Sequence, residues 1–410
     1  MPFGGVKGHA EPLSALALRG LHTVRLRPLR GLGRSPKKGR IMKFTLDKKK
    51  FIEGLTLASK AVSSKQNAQI LTGIYVNASD KMIELQATDY EIGFIIKIEA
   101  EVDEPGEIVL SGKYLVDAVR KLPGSEVSFN YNEVEKIAHI SSNKSKYRLL
   151  SMDSAEFPKV EKLEGGTSFT IKDEELFSII RKTAFAASTD ELRPVFMGCF
   201  LQLEANKLEM AATNSFRIAI NKLDVDSGSS VRLIIPAKAL NELSHAYKED
   251  EPQDITVNQA KNQLGFEFGN IYMTTRLIEG EYPDYKRIVP QSAMTTVMVD
   301  KNALASAVDR VSLISNPKGI QSVHFEIKEG LIHIDSNNPE IGKAEEEIEA
   351  EVEGEELSIS FNAVYIMDAT KVMKGDKIKI SLNKALDPVK IEDTEDTNFI
   401  YVVTPVRSQQ

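Results

Sequence analysis

The chain has 410 residues and a formal net charge of minus seven, with 42% hydrophobic and 27% charged residues, the composition of an ordinary globular protein. No apolar run approaches the roughly 18 residues of a membrane span. A single cysteine, Cys199, excludes an intramolecular disulfide and a zinc knuckle and suits a reducing cytoplasm.

Residues 1–41 stand apart from the rest. They hold Lys7, Arg19, Arg25, Arg27, Arg30, Arg34, Lys37, Lys38 and Arg40 against one acid, Glu11. That is plus eight, which leaves minus fifteen for residues 42–410 of a chain at minus seven. Leu13-Ser-Ala-Leu-Ala-Leu18 is short and lacks a following small-residue cleavage site, so a signal peptide is a poor reading. The segment is expected to be a disordered leader outside the fold.

From Met42 onward the sequence repeats. Phe157-Pro158 returns as Tyr282-Pro283, 125 residues on, and Thr88-Asp89 returns as Thr213-Asn214. Ile108-Val-Leu-Ser-Gly-Lys-Tyr-Leu115, Leu233-Ile-Ile-Pro-Ala-Lys-Ala-Leu240 and Leu357-Ser-Ile-Ser-Phe-Asn-Ala-Val-Tyr365 form one equivalent block in three copies. So long a period is a whole folded unit rather than a solenoid repeat, and the spacing predicts domains over 42–164, 165–292 and 293–410.

Each copy opens with a strand, at Lys43–Leu46, Ser168–Ile171 and Thr296–Val299. Apolar residues then recur at three- and four-residue spacing (Phe51, Leu55, Ala58; Leu176, Ile179, Ile180; Leu304, Ala307, Val308, Val311), the pattern of a helix with one buried face. Asp47, Asp173 and Asp300 stand where N-caps are wanted. Alternating runs such as Met82–Gln86 and Phe94–Ile98 predict an antiparallel meander, interrupted by second helices over 113–122, 237–247 and 363–373. The fold class is therefore α+β, two helices on curved antiparallel sheet, three times over.

Basic residues gather on these helices: Lys48, Lys49, Lys113 and Arg120; Arg181, Lys182 and Lys238; Lys301, Arg310 and Lys371. Acids concentrate elsewhere, as in Glu345-Glu-Glu-Ile-Glu349. An acidic protein with one recurring basic element can offer that element to a polyanion and repel it elsewhere. Nothing suggests catalysis. The six histidines form no HxxxH or HExxH pair, Gly4-Gly-Val-Lys-Gly8 has no strand before it, and Cys199 reads as a small buried hydrophobe. No metal or cofactor is expected.

The order of Met42-Lys-Phe-Thr-Leu, Thr213-Asn-Ser-Phe-Arg-Ile-Ala219, Glu279-Gly-Glu-Tyr-Pro-Asp-Tyr-Lys-Arg-Ile-Val-Pro290, Asn338-Pro-Glu340, Phe361-Asn-Ala-Val-Tyr365 and Tyr401-Val-Val-Thr-Pro-Val-Arg407 closely resembles the bacterial DNA polymerase III beta subunit family, the sliding clamps. The resemblance covers residues 42–407. It implies a head-to-tail homodimer closing into a ring around duplex DNA, opened by a clamp loader and tethering the replicative polymerase and other clamp-motif proteins, with no membrane and no catalysis. The basic helices would line the hole, joined by Lys65 in the loop after the first. The implied peptide pocket comprises Phe196, Thr213, Arg217, Ile218, Pro283, Arg287, Ile288, Asn362, Tyr365, Leu386, Pro388, Val402, Val403, Pro405, Val406 and Arg407. Tyr147 on one side and Leu313 and Ile314 on the other match the ring interface.

Three departures bear on the pocket. A familiar histidine is Phe216, and familiar methionines beside the tail proline are Thr404 and Val406. Two other classes compete with the clamp: a three-domain scaffold that never encircles DNA, for which basic inner helices in all three copies have no purpose, and a hydrolase, which needs a convergent acid-base pair.

Overall fold

A computed structural model of the chain describes residues 41–63, 68–247, 251–315 and 319–407. The expected leader, apart from Ile41, and Lys65 lie outside the described residues.

One arrangement occurs three times. The first copy runs β1 (Ile41–Asp47), α1 (Lys48–Ala58), β2 (Gly73–Ser79), β3 (Met82–Thr88), β4 (Ile92–Glu99), β5 (Glu101–Glu104), β6 (Gly106–Ser111), α2 (Gly112–Lys121), β7 (Glu126–Asn132), β8 (Ile137–Ser142) and β9 (Ser145–Met152). The second runs β10 (Thr167–Lys172), α3 (Asp173–Thr183), β11 (Gly198–Glu204), β12 (Lys207–Thr213), β13 (Arg217–Asp224), β14 (Val231–Pro236), α4 (Ala237–Ser244), β15 (Asp254–Ala260), β16 (Gln263–Phe268) and β17 (Ile271–Arg276). The third runs β18 (Thr295–Asp300), α5 (Lys301–Ser312), β19 (Ser322–Lys328), β20 (Leu331–Asn338), β21 (Gly342–Gly354), β22 (Leu357–Asn362), α6 (Ala363–Val372), β23 (Lys377–Leu382), β24 (Val389–Asp393) and β25 (Phe399–Val403).

Two of the three expected caps form. Asp47 accepts from Lys50 N at 2.9 Å and Asp300 from Ala303 N at 2.7 Å, each satisfying a donor the helix start leaves unpaired. The third expectation is corrected: α3 begins at Asp173, and Lys172 holds the cap position. Asp173 is buried and its carboxylate accepts from Glu174 N and Gln253 N. Lys48 and Lys301, at the same place in the other copies, are also structural, since each ammonium reaches the carbonyl at the end of its second helix, Leu122 O or Met373 O.

The helices pack on sheet through a dry interior. In the first copy Phe44 stacks on Phe129 with centroids 4.6 Å apart and meets Phe51 of α1 edge-on at 6.3 Å; a ring buried this fully contributes roughly 1.5–3 kcal/mol. Gly54 lets α1 come close to β4, because a Cβ there would sit 2.6 Å from Ile98 Cδ1.

Two antiparallel sheets run through the three copies. Their strand orders are β10-β15-β16-β17-β4-β3-β2-β6-β9-β8-β7-β1-β5 and β14-β11-β12-β13-β25-β24-β23-β18-β21-β20-β19-β22. The second copy therefore belongs to both. It joins the first copy by pairing β17 with β4, and the third by pairing β13 with β25. Main-chain ladders, not flexible linkers, hold the copies together. Among the described residues, Ser145–Leu150 of β9 pair only with β8, and Gly342–Glu349 of β21 only with β20, so each end of the protomer carries an open strand edge.

Candidate functional site

The joint between the second and third copies gathers most of the expected pocket residues. Its centre is the turn after β12. Asn214 Oδ1 accepts from Phe216 N at 3.0 Å and Arg217 N at 3.1 Å, while Thr213 Oγ1 donates to Arg217 O at 2.7 Å. Ser215 takes a left-handed φ of 77°, the conformation such a side-chain-closed turn uses. Asp89 closes the same turn in the first copy, accepting from Glu91 N and Ile92 N. In the second copy it sends Arg217 inward and leaves Phe216 56% exposed.

Arg217 ties the copies together. Its Nη1 donates to Asp368 Oδ2 at 2.8 Å and its Nη2 to Phe185 O. The guanidinium carbon lies 4.6 Å from the centre of the Tyr365 ring and 5.3 Å from that of Phe185, an attraction of roughly 0.5–2 kcal/mol per ring. Nε is buried without a hydrogen-bond partner. Tyr365 receives Asn214 Nδ2 at 3.2 Å, and Tyr401 OH donates to Tyr365 O at 3.0 Å. Burial pushes the Tyr401 phenol above its ordinary pKa.

The C-terminal strand and tail form one wall. Val402 and Val403 of β25 pair with Ile218 and Arg217. Thr404 then donates through both N and Oγ1 to Phe216 O, each at 2.9 Å, and Val406 N donates to Ser360 O at 2.8 Å. Pro405 and Val406 are half-buried and Arg407 is exposed. The segment after β17 forms the other wall. Tyr285 donates to the buried Glu209 carboxylate, which Lys286 and Lys222 hold at 2.8 and 3.4 Å. Burial opposes the charge on Glu209, but those donors outweigh it and hold the carboxyl below its usual range. This anchor leaves Pro283, Arg287 and Ile288 exposed at the rim.

The expected residues thus divide in two. Thr213, Arg217, Ile218, Val402 and Val403 are buried and form the floor and frame. Pro283, Arg287, Ile288, Leu386 and Arg407 are exposed, and Phe196, Tyr365, Pro388, Pro405 and Val406 are half-buried. Asn362 caps α6 by accepting from Val364 N at 3.1 Å. Four neighbours were not anticipated as site residues: Phe185, Asp368, Tyr401 and Arg193, whose guanidinium lies 5.4 Å from the Phe196 ring centre and donates to Ser215 Oγ at 2.9 Å. Phe216, expected in the pocket where a histidine is familiar, stands exposed at the turn beside them. Asp368 follows Tyr365 by one helical turn, a spacing that could have pointed to it.

The basic helix residues fare unequally. Lys49, Lys113 and Arg181 are exposed. Arg120 lies 3.8 Å from Asp117, Lys371 3.1 Å from Asp368 and Lys238 3.3 Å from Asp89, and Arg310 pairs with Glu346; all four side chains stay largely in solvent. Lys182 is corrected. It is buried, and its ammonium meets Asp396 of the third copy, so it braces the joint and cannot present its charge to DNA. Tyr147 is half-buried on the open β9, Leu313 is 76% exposed just past α5, and Ile314 is half-buried beside it.

Among the described residues no cluster of His, Cys, Asp and Glu could hold a metal ion, and no helix is long and apolar enough to cross a membrane. Burial pushes the Cys199 thiol up to about 12, far from a reactive thiolate.

Comparison with known proteins gives one answer over the whole folded part. Models of the DNA polymerase III beta subunit match in chain order: its N-terminal domain over residues 42–161, its central domain over 170–284 and its C-terminal domain over 286–407. The chain is 34% identical to the beta sliding clamp of Bacillus subtilis over 379 residues, 90% of this chain and all of that one, and equally identical to that of Staphylococcus epidermidis over 378 residues. It superimposes on the crystal structure of the B. subtilis clamp with a TM-score of 0.83 at 33% identity, covering 90% of this chain and 99% of that one. The DNA polymerase III beta subunit of Thermotoga maritima gives 0.83 at 28% identity, covering 90% and 100%.

Proposed function

The chain belongs to the bacterial DNA polymerase III beta subunit family, the sliding clamps, and on that premise we propose that it is a non-catalytic processivity factor that encircles duplex DNA as a head-to-tail homodimer. The observation carrying this reading is the pair of open strand edges. The protomer joins its three copies by pairing a β4-type edge with a β17-type edge, twice. One edge of each type is left over, on β21 and β9. Two protomers that use these edges on each other close a ring of six units, whereas a monomeric scaffold leaves two long edges bare, an aggregation liability.

Exposed Lys49, Lys113, Arg120, Arg181, Lys238, Arg310 and Lys371 supply the positive lining, and Lys65 is assigned to it by resemblance. Contacts of this kind to phosphate carry no sequence information, so the ring slides while topology retains it. Partners, the replicative polymerase first, dock a short apolar segment at the joint between the second and third copies. There Phe216, Ile288 and Leu386 offer apolar surface and Arg407 and Arg287 orient the chain, the usual division between anchors and polar rim. A loader opens the ring, and the protein works in the cytoplasm. Retention on closed circular DNA, lost when the circle is cut, tests the encirclement.

A further inference from the structure

We infer that a cleft adjoining the proposed partner site is a further pocket for the docked segment, and that it takes an acidic side chain, glutamate or aspartate, next to the segment's apolar anchors. The inference rests on the docking reading and adds a charge to the segment that docks.

The cleft holds about 310 Å³ at the joint between the second and third copies. Its floor includes Ile220 and Ile400, which face each other across the joint two residues along from the pair Ile218 and Val402. All four pack with Tyr285 and Val289 in one apolar cluster, so the floor of the partner site runs on into the cleft. Two residues of strand span about 6.7 Å. A segment seated on Ile218 and Val402 therefore reaches the cleft with its next one or two residues.

Among the described residues three ammonium groups line the cleft, from Lys222 on β13, Lys286 after β17 and Lys390 on β24, against the one carboxylate of Glu209. That is plus two, in a chain that carries minus fifteen over residues 42–410. Glu209 is already held by Tyr285, Lys286 and Lys222, and Lys390 reaches Glu392 on its own strand at 3.0 Å. The Lys222 and Lys286 side chains stay 52% and 59% exposed, and an ammonium has three donors to distribute. Burial opposes the Glu209 charge, yet its donors keep the carboxyl below the usual range, as a site that favours anions does.

At the first joint the same place is filled. Tyr272 stands where Ile400 does, facing Ile95 as Ile400 faces Ile220. It is buried, its phenol accepts from Leu163 N at 2.9 Å, and a Cβ on Gly265 would lie 2.7 Å from the phenol oxygen. Gly265 holds the position of Lys390: the one lies opposite Thr274 and the other opposite Val402, the residues that pair across the two joints. Glu161, three residues after Pro158, replaces Lys286, three after Pro283. Lys97 opposite Glu84 matches Lys222 opposite Glu209. The equivalent set is thus one ammonium and two carboxylates. Open space and positive charge occur together at the joint with the proposed partner site, and the repeat shows that the fold requires neither.

Fluorescence anisotropy with short synthetic peptides tests the pocket. The peptides share one core of leucine and phenylalanine anchors and differ only in their flanks: glutamate before the core, glutamate after it, or glutamine in both places. One of the acidic peptides should bind about fivefold tighter than the glutamine peptide, and the preference should shrink as salt rises. Lys222→Gln with Lys390→Gln should abolish the preference, and so should Ile400→Tyr, which fills the cleft as Tyr272 does at the first joint. Circular dichroism checks that each variant folds, and either one alone decides. Equal binding of all three peptides to the unaltered protein overturns the inference and leaves the docking site standing. A preference that survives in a folded variant also overturns it and moves the acid to Arg287 or Arg407 at the rim. If no peptide binds the unaltered protein, the docking reading falls and the pocket with it.

Discussion

Arg217 of the second copy lies 4.6 Å from the ring centre of Tyr365 of the third, and the same arginine donates to Asp368 one helical turn further on. A cation, two rings and a carboxylate therefore fix the angle between the copies that form the proposed partner site. The proposed binding surface and the joint are one structure, so substitutions need choosing to separate them.

Ile288→Ala with Arg407→Ala removes an exposed apolar side chain and an exposed tail cation while leaving every contact of Arg217 in place. The dissociation constant for a polymerase-derived peptide should rise at least about tenfold, ~1.4 kcal/mol, with dimer mass unchanged by light scattering. Normal peptide binding would remove the site assignment.

Lys182 and Asp396 are buried partners. Lys182→Ala strands a carboxylate in the joint and should cost about 3 kcal/mol in denaturant unfolding. Lys182→Met with Asp396→Leu should restore stability to within about 1 kcal/mol of the parent. Equal destabilisation by both variants would show that the joint needs the charges themselves.

Lys49→Glu, Lys113→Glu and Arg181→Glu together should weaken binding to short duplexes and flatten its salt dependence, by about 0.9 in log-log slope for each phosphate no longer neutralised. Fluorescence anisotropy across a salt series reads this. An unchanged slope would place the DNA path elsewhere.

Burial pushes the phenols of Tyr282, Tyr285 and Tyr401 above their ordinary value, and Glu209 pushes Tyr285 further. A folded pKa above the unfolded one gives stability that is complete below about pH 10 and is lost as pH rises through the folded values. Alkaline unfolding should thus begin above about pH 10, and these phenols should ionise only as circular dichroism is lost. Full tyrosine ionisation with native circular dichroism intact would contradict the burial.

Much of the fold was legible because it is local. Asp47 and Asp300 cap where the pattern placed them, and the helix faces follow their apolar spacing. Asp173 misled because its type suits a cap, although the repeat itself aligns Lys172 with Asp47. The joints were not legible, since nothing in Ile92–Glu99 announces that its partner strand lies at Ile271–Arg276. Lys182 was misread for the same reason: the carboxylate that buries it belongs to another copy. At the proposed partner site the resemblance supplied the candidate residues, but only the packing separates the buried Ile218 and Val402 from the accessible Ile288 and Leu386.

The central claim is topological linkage, and one measurement addresses it directly. The protein is loaded on nicked circular DNA with the matching loader and ATP, then passed through gel filtration before and after the circle is cut once. Encirclement predicts that it travels with the circle and is released from the linear form. Release from both, with the loader's ATPase responding normally, would contradict the ring.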